Sequence, residues 1–197
     1  MRRFVIVGQR AKASPDFLLV DIPSTSGRLD VLVRCLRAAL LVSHGVRRDT
    51  VAYLVLLGEP DRPATIRIDG AAARYLRPDE RSLATLLKKV LAVEPASASF
   101  AEVRTGVAIA RGGLETLEPE LSAANCIVLD EAGADVREHA LPQGDLVFFL
   151  GDHVGFDEPT RARLAELAAA TLRIGPLGLH AEDVIAIVHN ELDRRGA

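Results

Sequence analysis

The sequence predicts an α/β fold in which a mostly parallel sheet is flanked by helices. Short apolar runs of strand length alternate with longer segments whose apolar residues recur at helical spacing. Several of these runs are almost continuously apolar, as expected of strands buried on both faces. A chain of 197 residues with 49% hydrophobic content can bury the core of a single domain, which we place over residues 1–197.

The N-terminal half, residues 1 to about 95, is predicted to contain three strands and two helices. In chain order these are strand 4–7, helix 28–44, strand 51–57, strand 64–69 and helix 79–92. Ser26 is placed to cap the first helix and Gly45 to end it. The last two strands are expected to pair as a hairpin across residues 58–63, whereas segment 11–26 is expected to be irregular.

The C-terminal half, residues about 100–197, is predicted to be joined to the first half by a small, polar surface connection at 93–105. In chain order we expect strand 105–109, helix 114–123, strand 126–129, a turn at 131–135, strand 147–150, helix 159–170, strand 172–174 and helix 180–195. Aromatic residues make up only 4% of the chain, so Leu, Val, Ala and Ile must fill the core.

Composition and charge exclude several classes of protein. The 27 Asp and Glu residues outnumber the 24 Lys and Arg residues, and the net charge of −3 argues against binding nucleic acid by bulk charge alone. The longest apolar run, 36–46, is too short to span a bilayer. Arg2-Arg3 precede too few apolar residues for an export signal. Cys35 and Cys126 are predicted to be buried thiols in a reducing compartment, so we expect a cytoplasmic protein.

Two glycine-bearing loops near the carboxyl end point to a cofactor pocket. Each follows a short apolar strand, in Val147-Phe-Phe-Leu-Gly-Asp-His-Val-Gly155 and in Leu172-Arg-Ile-Gly-Pro-Leu-Gly-Leu179. Glycine lets the backbone approach a ligand closely at the carboxyl ends of strands, where main-chain hydrogen bonds can hold a planar ring such as adenine. The alternative is a pair of ordinary turns between strand and helix, in which glycine relieves backbone strain.

Several familiar motifs are missing from the sequence. It has no GxGxxG dinucleotide loop, no GxxxxGK[ST] phosphate loop and no GxSxG nucleophile elbow. Their absence disfavours a Rossmann dehydrogenase, a P-loop nucleotidase and a serine hydrolase of that type. The five histidines form no HxH, HExxH or paired Cys/His spacing, so we expect no metal.

Basic residues cluster around the first long helix. They are Arg28, Arg34, Arg37, Arg47 and Arg48. Such residues can hold phosphates or a base edge of an RNA, and Arg34, Arg47 and Arg48 are our candidate RNA contacts. The alternative is an ion-paired surface helix, because Asp30 and Arg34 form an i,i+4 pair worth roughly 0.3–0.5 kcal/mol.

Many of these residues also match the pattern of a known family. The matching segments, in order along nearly the whole chain, are Gly27-Arg-Leu-Asp30, Arg34-Cys35, Ser43-His44, Arg47-Arg-Asp49, Pro78-Asp-Glu-Arg81, Gly106-Val-Ala-Ile109, Gly151-Asp-His-Val-Gly155, Pro176-Leu-Gly-Leu-His-Ala181 and Ile187-Val-His-Asn190. In these segments the sequence resembles the tRNA pseudouridine N1-methyltransferase family, which belongs to the SPOUT, or α/β-knot, methyltransferases.

The resemblance implies a C-terminal trefoil knot, a homodimer and S-adenosylmethionine bound in the knot. It also implies methyl transfer to N1 of a pseudouridine in the T-loop of tRNA, at position 54. Carried over residue by residue, the cofactor contacts are Leu129, Gly151, Leu172, Arg173, Ile174, Gly175, Pro176, Leu177 and Val184. Val184 stands where family members often have a cysteine.

The chemistry of this reaction gives roles to three polar residues. The free N1–H of pseudouridine must be lost, and negative charge develops on the carbonyl oxygens of the base, where hydrogen-bond donors stabilise it. We expect Arg28 to orient or stabilise the base, and Asp30 to accept the proton or to fix Arg28. Asp152 is the other candidate base.

Two alternatives stay open at the level of the sequence. One is a pseudouridine methyltransferase that acts on another RNA, such as ribosomal RNA. The other is an RNA- or cofactor-binding protein without turnover. Titration with S-adenosylmethionine separates a cofactor protein from a plain RNA binder, and T-loop RNAs that carry uridine or pseudouridine separate the substrates.

Overall fold

An eight-stranded sheet forms the centre of the structure, a computed structural model in which residues 1–58, 62–95, 97–121 and 124–196 are described. In chain order the elements are β1 (Arg2–Lys12), α1 (Ile22–Thr25), α2 (Leu29–Leu40), β2 (Leu41–Val42), β3 (Gly45–Val46), β4 (Thr50–Gly58), β5 (Ala64–Asp69), α3 (Glu80–Leu91), β6 (Ala101–Arg104), β7 (Val107–Arg111), a 3-10 turn (Leu114–Leu117), α4 (Glu118–Leu121), β8 (Asn125–Asp135), β9 (Leu146–Gly151), α5 (Glu158–Leu167), β10 (Ala170–Arg173) and α6 (Ala181–Arg195).

The strand order in the sheet is β10-β8-β9-β1-β4-β5-β7-β6. The strands from β10 to β4 are parallel, and β5, β7 and β6 extend the sheet in antiparallel fashion. The predicted mostly parallel sheet is therefore confirmed. The hairpin of β4 and β5 is confirmed too, with Val51 facing Asp69 and Leu56 facing Ala64. Its predicted turn at 58–63 falls partly outside the described residues.

Side chains of β1 alternate between two buried layers, as the pleat of a strand requires. Phe4 and Ile6 belong to the layer that α2, α3 and α6 cover. Val5 and Val7 belong to the layer on the other face, where Leu164 of α5 packs. Because helices cover both faces of the sheet, its central strands read as continuous apolar runs.

Helix α2 begins as the sequence predicts but ends earlier. The prediction that Ser26 caps this helix is wrong, because Arg28 occupies the N-cap position and its side chain makes no capping hydrogen bond; the Ser26 hydroxyl, two residues earlier, accepts a hydrogen bond from the Leu29 N–H at 3.0 Å. The helix stops short of residue 44 because Leu41 adopts an extended backbone and pairs with Val46 in the small hairpin of β2 and β3. The prediction that Gly45 ends the helix is therefore wrong, since Gly45 belongs to β3.

The predicted turn at 131–135 is also wrong, because β8 continues through these residues. β10 pairs with β8 before and after an interruption, and beyond it Leu172 faces Ala134. Gly133 permits this close pairing, since a Cβ at that position would lie 2.6 Å from the Leu172 nitrogen. Residues 129–133 of β8, between the two paired parts, therefore do not pair with β10.

Three other segments differ from their predictions. The connection at 93–105 contains β6, which is largely exposed and reads Ala-Glu-Val-Arg, so it lacks the apolar pattern that predicts a strand. The helix at 114–123 is only a 3-10 turn followed by α4, and residues 122–123 lie outside the described ranges. The irregular segment 11–26 contains α1, whose first turn Asp21 caps.

The C-terminal helix α6 packs against α2, so the first and last thirds of the chain share one helical layer. The trefoil knot and the division into an N-terminal and a C-terminal half stay predictions. Among the described helices, none is both long enough and apolar enough to cross a membrane.

Candidate cofactor and RNA site

A cleft of about 720 Å³ lies where the pairing of β8 with β10 is interrupted and where β9 and β10 end. The start of α2 forms a further wall with Arg28, Val31 and Arg34, and the start of α6 contributes Glu182 and Val184. Ligands of parallel sheets bind at the carboxyl ends of the strands, and the cleft occupies that position. Its volume lies within the range of about 300–1,000 Å³ that is usual for small-molecule sites.

The structure brings eight of the nine predicted cofactor residues to this cleft. They are Leu129, Gly151, Leu172, Arg173, Ile174, Gly175, Leu177 and Val184. Pro176 lies in the same loop but does not line the cleft. The two glycine-bearing loops that are distant in sequence therefore meet at one place.

The loop between β10 and α6 forms a thin wall of backbone. A Cβ added at Gly175 would meet no atom within 4 Å, so open space lies in front of this residue. A Cβ at Gly178 would instead lie 2.4 Å from the Glu131 carboxylate of β8. The N–H groups of Gly175 and Leu177 donate to no acceptor in the part of the chain that the structure describes. They are therefore available to a ligand.

The glycine of the other loop has a structural explanation. A Cβ at Gly151 would lie 2.7 Å from the backbone of Gly155, which has a left-handed φ of +74°. The two residues close a tight turn through the bridge between Asp152 and Gly155. The alternative reading of this loop, in which glycine relieves backbone strain, thus accounts for Gly151 without a ligand.

Asp152 anchors this turn to the sheet. Its buried carboxylate accepts one hydrogen bond from the Gln9 N–H at 3.0 Å and one from the Val154 N–H at 2.9 Å. Both oxygens are thus engaged by the protein backbone. Asp152 lines the cleft, and its role as a catalytic base stays a prediction.

Arg28 enters the cleft from an unusual backbone conformation. It precedes α2 with φ +69°, directly after Gly27 at φ +67°. Only glycine fits at position 27, because a Cβ there would lie 1.8 Å from the Arg10 carbonyl oxygen. A left-handed conformation costs a non-glycine residue roughly 1–3 kcal/mol, and such strain is typical of functional sites.

Asp30 holds the guanidinium of Arg28 in place. The Arg28 side chain donates two hydrogen bonds to Asp30, at 3.0 and 3.1 Å, and Arg34 donates a third at 2.9 Å. Burial alone raises the pKa of Asp30, but the hydrogen bonds from Arg28 and Arg34 outweigh it and keep this pKa below its ordinary value. Asp30 is therefore an ionised acceptor, better suited to fix Arg28 than to take a proton.

Arg34 connects the two helices that border the cleft. Its Nε donates to Glu182 of α6 at 2.7 Å, while its Nη1 donates to Asp30 of its own helix. Burial lowers the pKa of Arg34, but the hydrogen bonds to Glu182 and Asp30 outweigh it and raise this pKa. The ion pairs from Glu182 through Arg34 and Asp30 to Arg28 thus connect the start of α6, beside the predicted cofactor loop, to the start of α2.

The other two predicted RNA contacts lie outside the cleft. Arg47 forms a two-point ion pair with Asp193 near the end of α6, with its shorter contact at 2.7 Å. Arg48 donates to the carbonyl oxygens of Gly70 and Ala71 at 2.9 and 3.1 Å. Their proposed contact with RNA stays a prediction.

Sequence reasoning missed several residues of the cleft. Asp130 and Glu131 line it, as does Arg161 of α5, which approaches Asp130 at 3.4 Å. The signal for the two acids was present, because they directly follow the predicted strand 126–129 and side chains after parallel strands gather at one edge. Glu182 gave no local signal, since its role depends on the packing of α6 against α2. Among the described residues, no three His, Cys, Asp or Glu side chains could together hold a metal.

The whole chain, residues 1–197, matches the sequence model of a family described as "Putative SAM-dependent RNA methyltransferase". It is 43% identical over 197 residues to the tRNA (pseudouridine(54)-N(1))-methyltransferase of Methanosarcina mazei, an alignment that covers 100% of this chain and 93% of that protein. The protein of the same name from Halobacterium salinarum is 40% identical, with 100% and 98% covered.

A solved structure supports the fold independently. The crystal structure of Archaeoglobus fulgidus Nep1, bound to S-adenosylhomocysteine, aligns with a TM-score of 0.69 over 99% of both chains at 17% identity. At that identity the likeness shows a shared fold. The family is shown by the sequence model that matches the whole chain and by the relatives of 40–43% identity: the chain belongs to the family of S-adenosylmethionine-dependent RNA methyltransferases that includes these tRNA (pseudouridine(54)-N(1))-methyltransferases.

Proposed function

We propose that this chain methylates N1 of pseudouridine 54 in tRNA, with S-adenosylmethionine as the methyl donor. The observation that carries the proposal is the identity of about 40%, over essentially the whole chain, to relatives named for this reaction. The arrangement of the cleft supports it, because the backbone loop after β10 and the guanidinium of Arg28 face the same space.

The residues of the cleft fit the cofactor. The loop after β10 offers free N–H groups at Gly175 and Leu177 beside the apolar side chains of Leu172 and Val184, a combination suited to a flat, weakly polar ring such as adenine. The bound cofactor would supply an electrophilic methyl group on a sulfonium centre. The valine at position 184, in place of the cysteine frequent in the family, leaves these main-chain contacts unchanged.

Arg28 is the residue that we assign to the base. Loss of the N1 proton leaves negative charge on the ring carbonyls, and a fixed guanidinium stabilises that charge without reorganising. Asp30 is assigned as a positioning residue, since it holds two nitrogens of Arg28 and is itself held by Arg34. The remaining acceleration comes from positioning of the reactants in the cleft.

The test uses T-arm RNAs that differ only at position 54, with uridine or pseudouridine, and measures methyl incorporation. We expect methylation of the pseudouridine RNA alone. Arg28→Ala should lower turnover by about 100-fold or more, as for removal of a donor to developing charge. Asp30→Asn should lower it less, and Asp152→Asn should act through folding of the turn. Arg37→Ala, an exposed residue of the same helix, is the matched control.

Three outcomes would contradict the proposed function or the roles of its residues. Methylation of ribosomal RNA but not of tRNA would favour the alternative substrate. Binding of S-adenosylmethionine and RNA without any transfer would favour a binding protein. Unchanged turnover in the three site variants would remove the assignment of Arg28, Asp30 and Asp152.

We also propose that the chain is a homodimer and acts in the cytoplasm, where tRNA is its partner. The family resemblance supports the dimer, and the two buried free thiols, Cys35 and Cys126, suit a reducing compartment. Light scattering tests the dimer directly. A mass of twice 21.2 kDa is expected, and a mass of 21.2 kDa at assay concentration would overturn it.

A further inference from the structure

Tyr75 is the most exposed large hydrophobic residue among those that the structure describes, and its backbone is strained. The residue is 89% exposed, and its φ is +59°. Left-handed backbone is rare for a bulky residue, and it costs roughly 1–3 kcal/mol. An exposed aromatic ring held at this cost indicates a function outside the core.

The segment before Tyr75, residues 70–74, is held in place by hydrogen bonds and close packing. Arg48 donates to the carbonyl oxygens of Gly70 and Ala71, and Arg104 donates to that of Arg74 at 2.7 Å. Gly106, at φ +73°, packs so closely that a Cβ there would lie 2.3 Å from the backbone of this segment. Two arginines and one glycine thus fix the backbone that presents the ring.

The surroundings of Tyr75 are basic. A shallow pocket of about 130 Å³ beside the ring is lined by Arg77, Lys89 and Arg104 over an apolar floor, and no carboxylate lines it. None of these three cations forms a direct ion pair with a carboxylate that the structure describes, and Arg77 interacts with the exposed carboxylate of Asp79 only at longer range. In a chain with a net charge of −3, this concentration of unpaired positive charge favours a polyanion.

We propose that the Tyr75 surface, defined by Tyr75, Arg77, Lys89 and Arg104, binds a second, unpaired segment of the RNA substrate. A base stacks on the tyrosine ring, and the adjoining phosphates contact the three cations. Proteins bind single-stranded RNA by this combination of an aromatic platform and a basic surface. The inference rests on the proposed function only in that the substrate is an RNA.

The position of this surface restricts which RNA can reach it. The segment follows β5, whose last residue, Asp69, faces Val51 near the start of β4. The Tyr75 surface therefore lies at the amino edge of the parallel strands, whereas the cleft lies at their carboxyl edge. A strand of nine residues separates the two edges by on the order of 30 Å. Only an RNA longer than an isolated T-arm hairpin contacts both.

Binding of full-length tRNA and of the isolated T-arm hairpin, measured by fluorescence anisotropy, tests the proposal. Tyr75→Ala should weaken binding of full-length tRNA by about 5- to 100-fold and leave hairpin binding unchanged. Tyr75→Phe is the matched control, because phenylalanine keeps the ring, and it should bind as the unchanged chain does. Alanine adopts the same strained backbone, so circular dichroism should show equal folding.

A second variant tests the electrostatic part. Arg77→Gln should reduce the slope of log Kd against log salt concentration by about 1 for full-length tRNA. Equal affinity of Tyr75→Ala and the unchanged chain for full-length tRNA, or equal losses on tRNA and hairpin, would overturn the proposal. Failure of the unchanged chain to methylate any RNA would instead overturn the proposed function, while these binding measurements would still stand.

Discussion

At the scale of single residues, Arg28 combines a catalytic assignment with a cost in stability. Its left-handed backbone is strained for any side chain with a Cβ. Arg28→Gly and Arg28→Ala both remove the guanidinium and its bonds to Asp30, so their difference isolates the backbone. We expect the glycine variant to be more stable by about 1 kcal/mol in urea unfolding, and both variants to lose methyl transfer.

The comparison separates strain from chemistry. Equal stability of the two variants would mean that the backbone at position 28 is not strained in solution. Recovery of turnover in the glycine variant would mean that the backbone, rather than the guanidinium, serves the reaction.

His189 makes stability depend on pH. It is 2% exposed, and the Ala39 carbonyl at 2.9 Å from Nε2 requires a proton on that nitrogen, so Nδ1 faces Arg2 as the acceptor. Burial, reinforced by the charge of Arg47, lowers the pKa of His189 from 6.5 to about 4. The unfolded chain therefore takes up a proton at a higher pH than the folded one.

Because the folded pKa is the lower one, the free energy of unfolding should be greatest above pH 6.5 and should fall as the pH drops toward 4. The total loss is about 3 kcal/mol, from 1.36 kcal/mol for each pKa unit. His189→Gln should flatten this slope in urea unfolding at several pH values. Asp193, whose pKa is lowered to about 2 chiefly by its hydrogen bond with Arg47, titrates in a separate, more acidic window. A slope unchanged by His189→Gln would refute the assignment.

At the scale of elements, the contact of α2 with α6 fixes the geometry of the cleft. The ion pair of Arg34 with Glu182 is partly exposed, so its own contribution to stability is modest. A double-mutant cycle with Arg34→Gln and Glu182→Gln should give a coupling energy of about 0.5 kcal/mol in thermal unfolding. A control cycle pairs Arg34→Gln with Asp183→Asn, since Asp183 is an exposed residue in the same turn of α6. Its coupling energy should be near zero. Equal coupling in both cycles would point to the helix terminus rather than to the pair.

The loop after β10 gives a second prediction about an element. Gly175→Val should leave the free energy of unfolding unchanged, because open space lies before the backbone, yet its side chain should enter the cleft. We expect S-adenosylmethionine to bind at least 10-fold more weakly in calorimetric titration. Gly45→Val in the β2–β3 hairpin, where a Cβ also meets nothing within 4 Å, is the matched control and should bind normally. Normal binding by Gly175→Val would place the cofactor elsewhere.

The elements that the sequence predicted well are those whose pattern is local. β4 is buried along a continuous apolar run, and α3 is buried along a helical stripe of apolar residues. Both patterns can be recognised in the sequence. The sequence did not predict β6, because an exposed edge strand has no apolar pattern. The end of α2 was predicted wrongly because apolar residues continue past it into β2. Only the pairing of Leu41 with Val46 shows that the chain changes there from helix to strand.

At the scale of the whole molecule, a ligand of the cleft should stabilise the chain. S-adenosylhomocysteine at 100 times its Kd should add about 2.7 kcal/mol to the free energy of unfolding. For a chain of this length that corresponds to a rise in Tm of about 5–10 °C in calorimetry. Gly175→Val should lose most of the rise at the same ligand concentration. An unchanged Tm for the unmodified chain would mean that the cleft does not bind this ligand.

The sequence by itself determined the α/β class, the hairpin of β4 and β5, the two glycine-bearing loops and the resemblance to a methyltransferase family. Each depends on residue types at short spacing or on their order along the chain. Only the tertiary structure decided that Gly178 approaches the Glu131 carboxylate, that the pairing of β8 with β10 is interrupted, and that Glu182 reaches Arg34 across 148 positions. Such contacts form because packing of helices and strands brings distant residues together, and no local pattern encodes that approach.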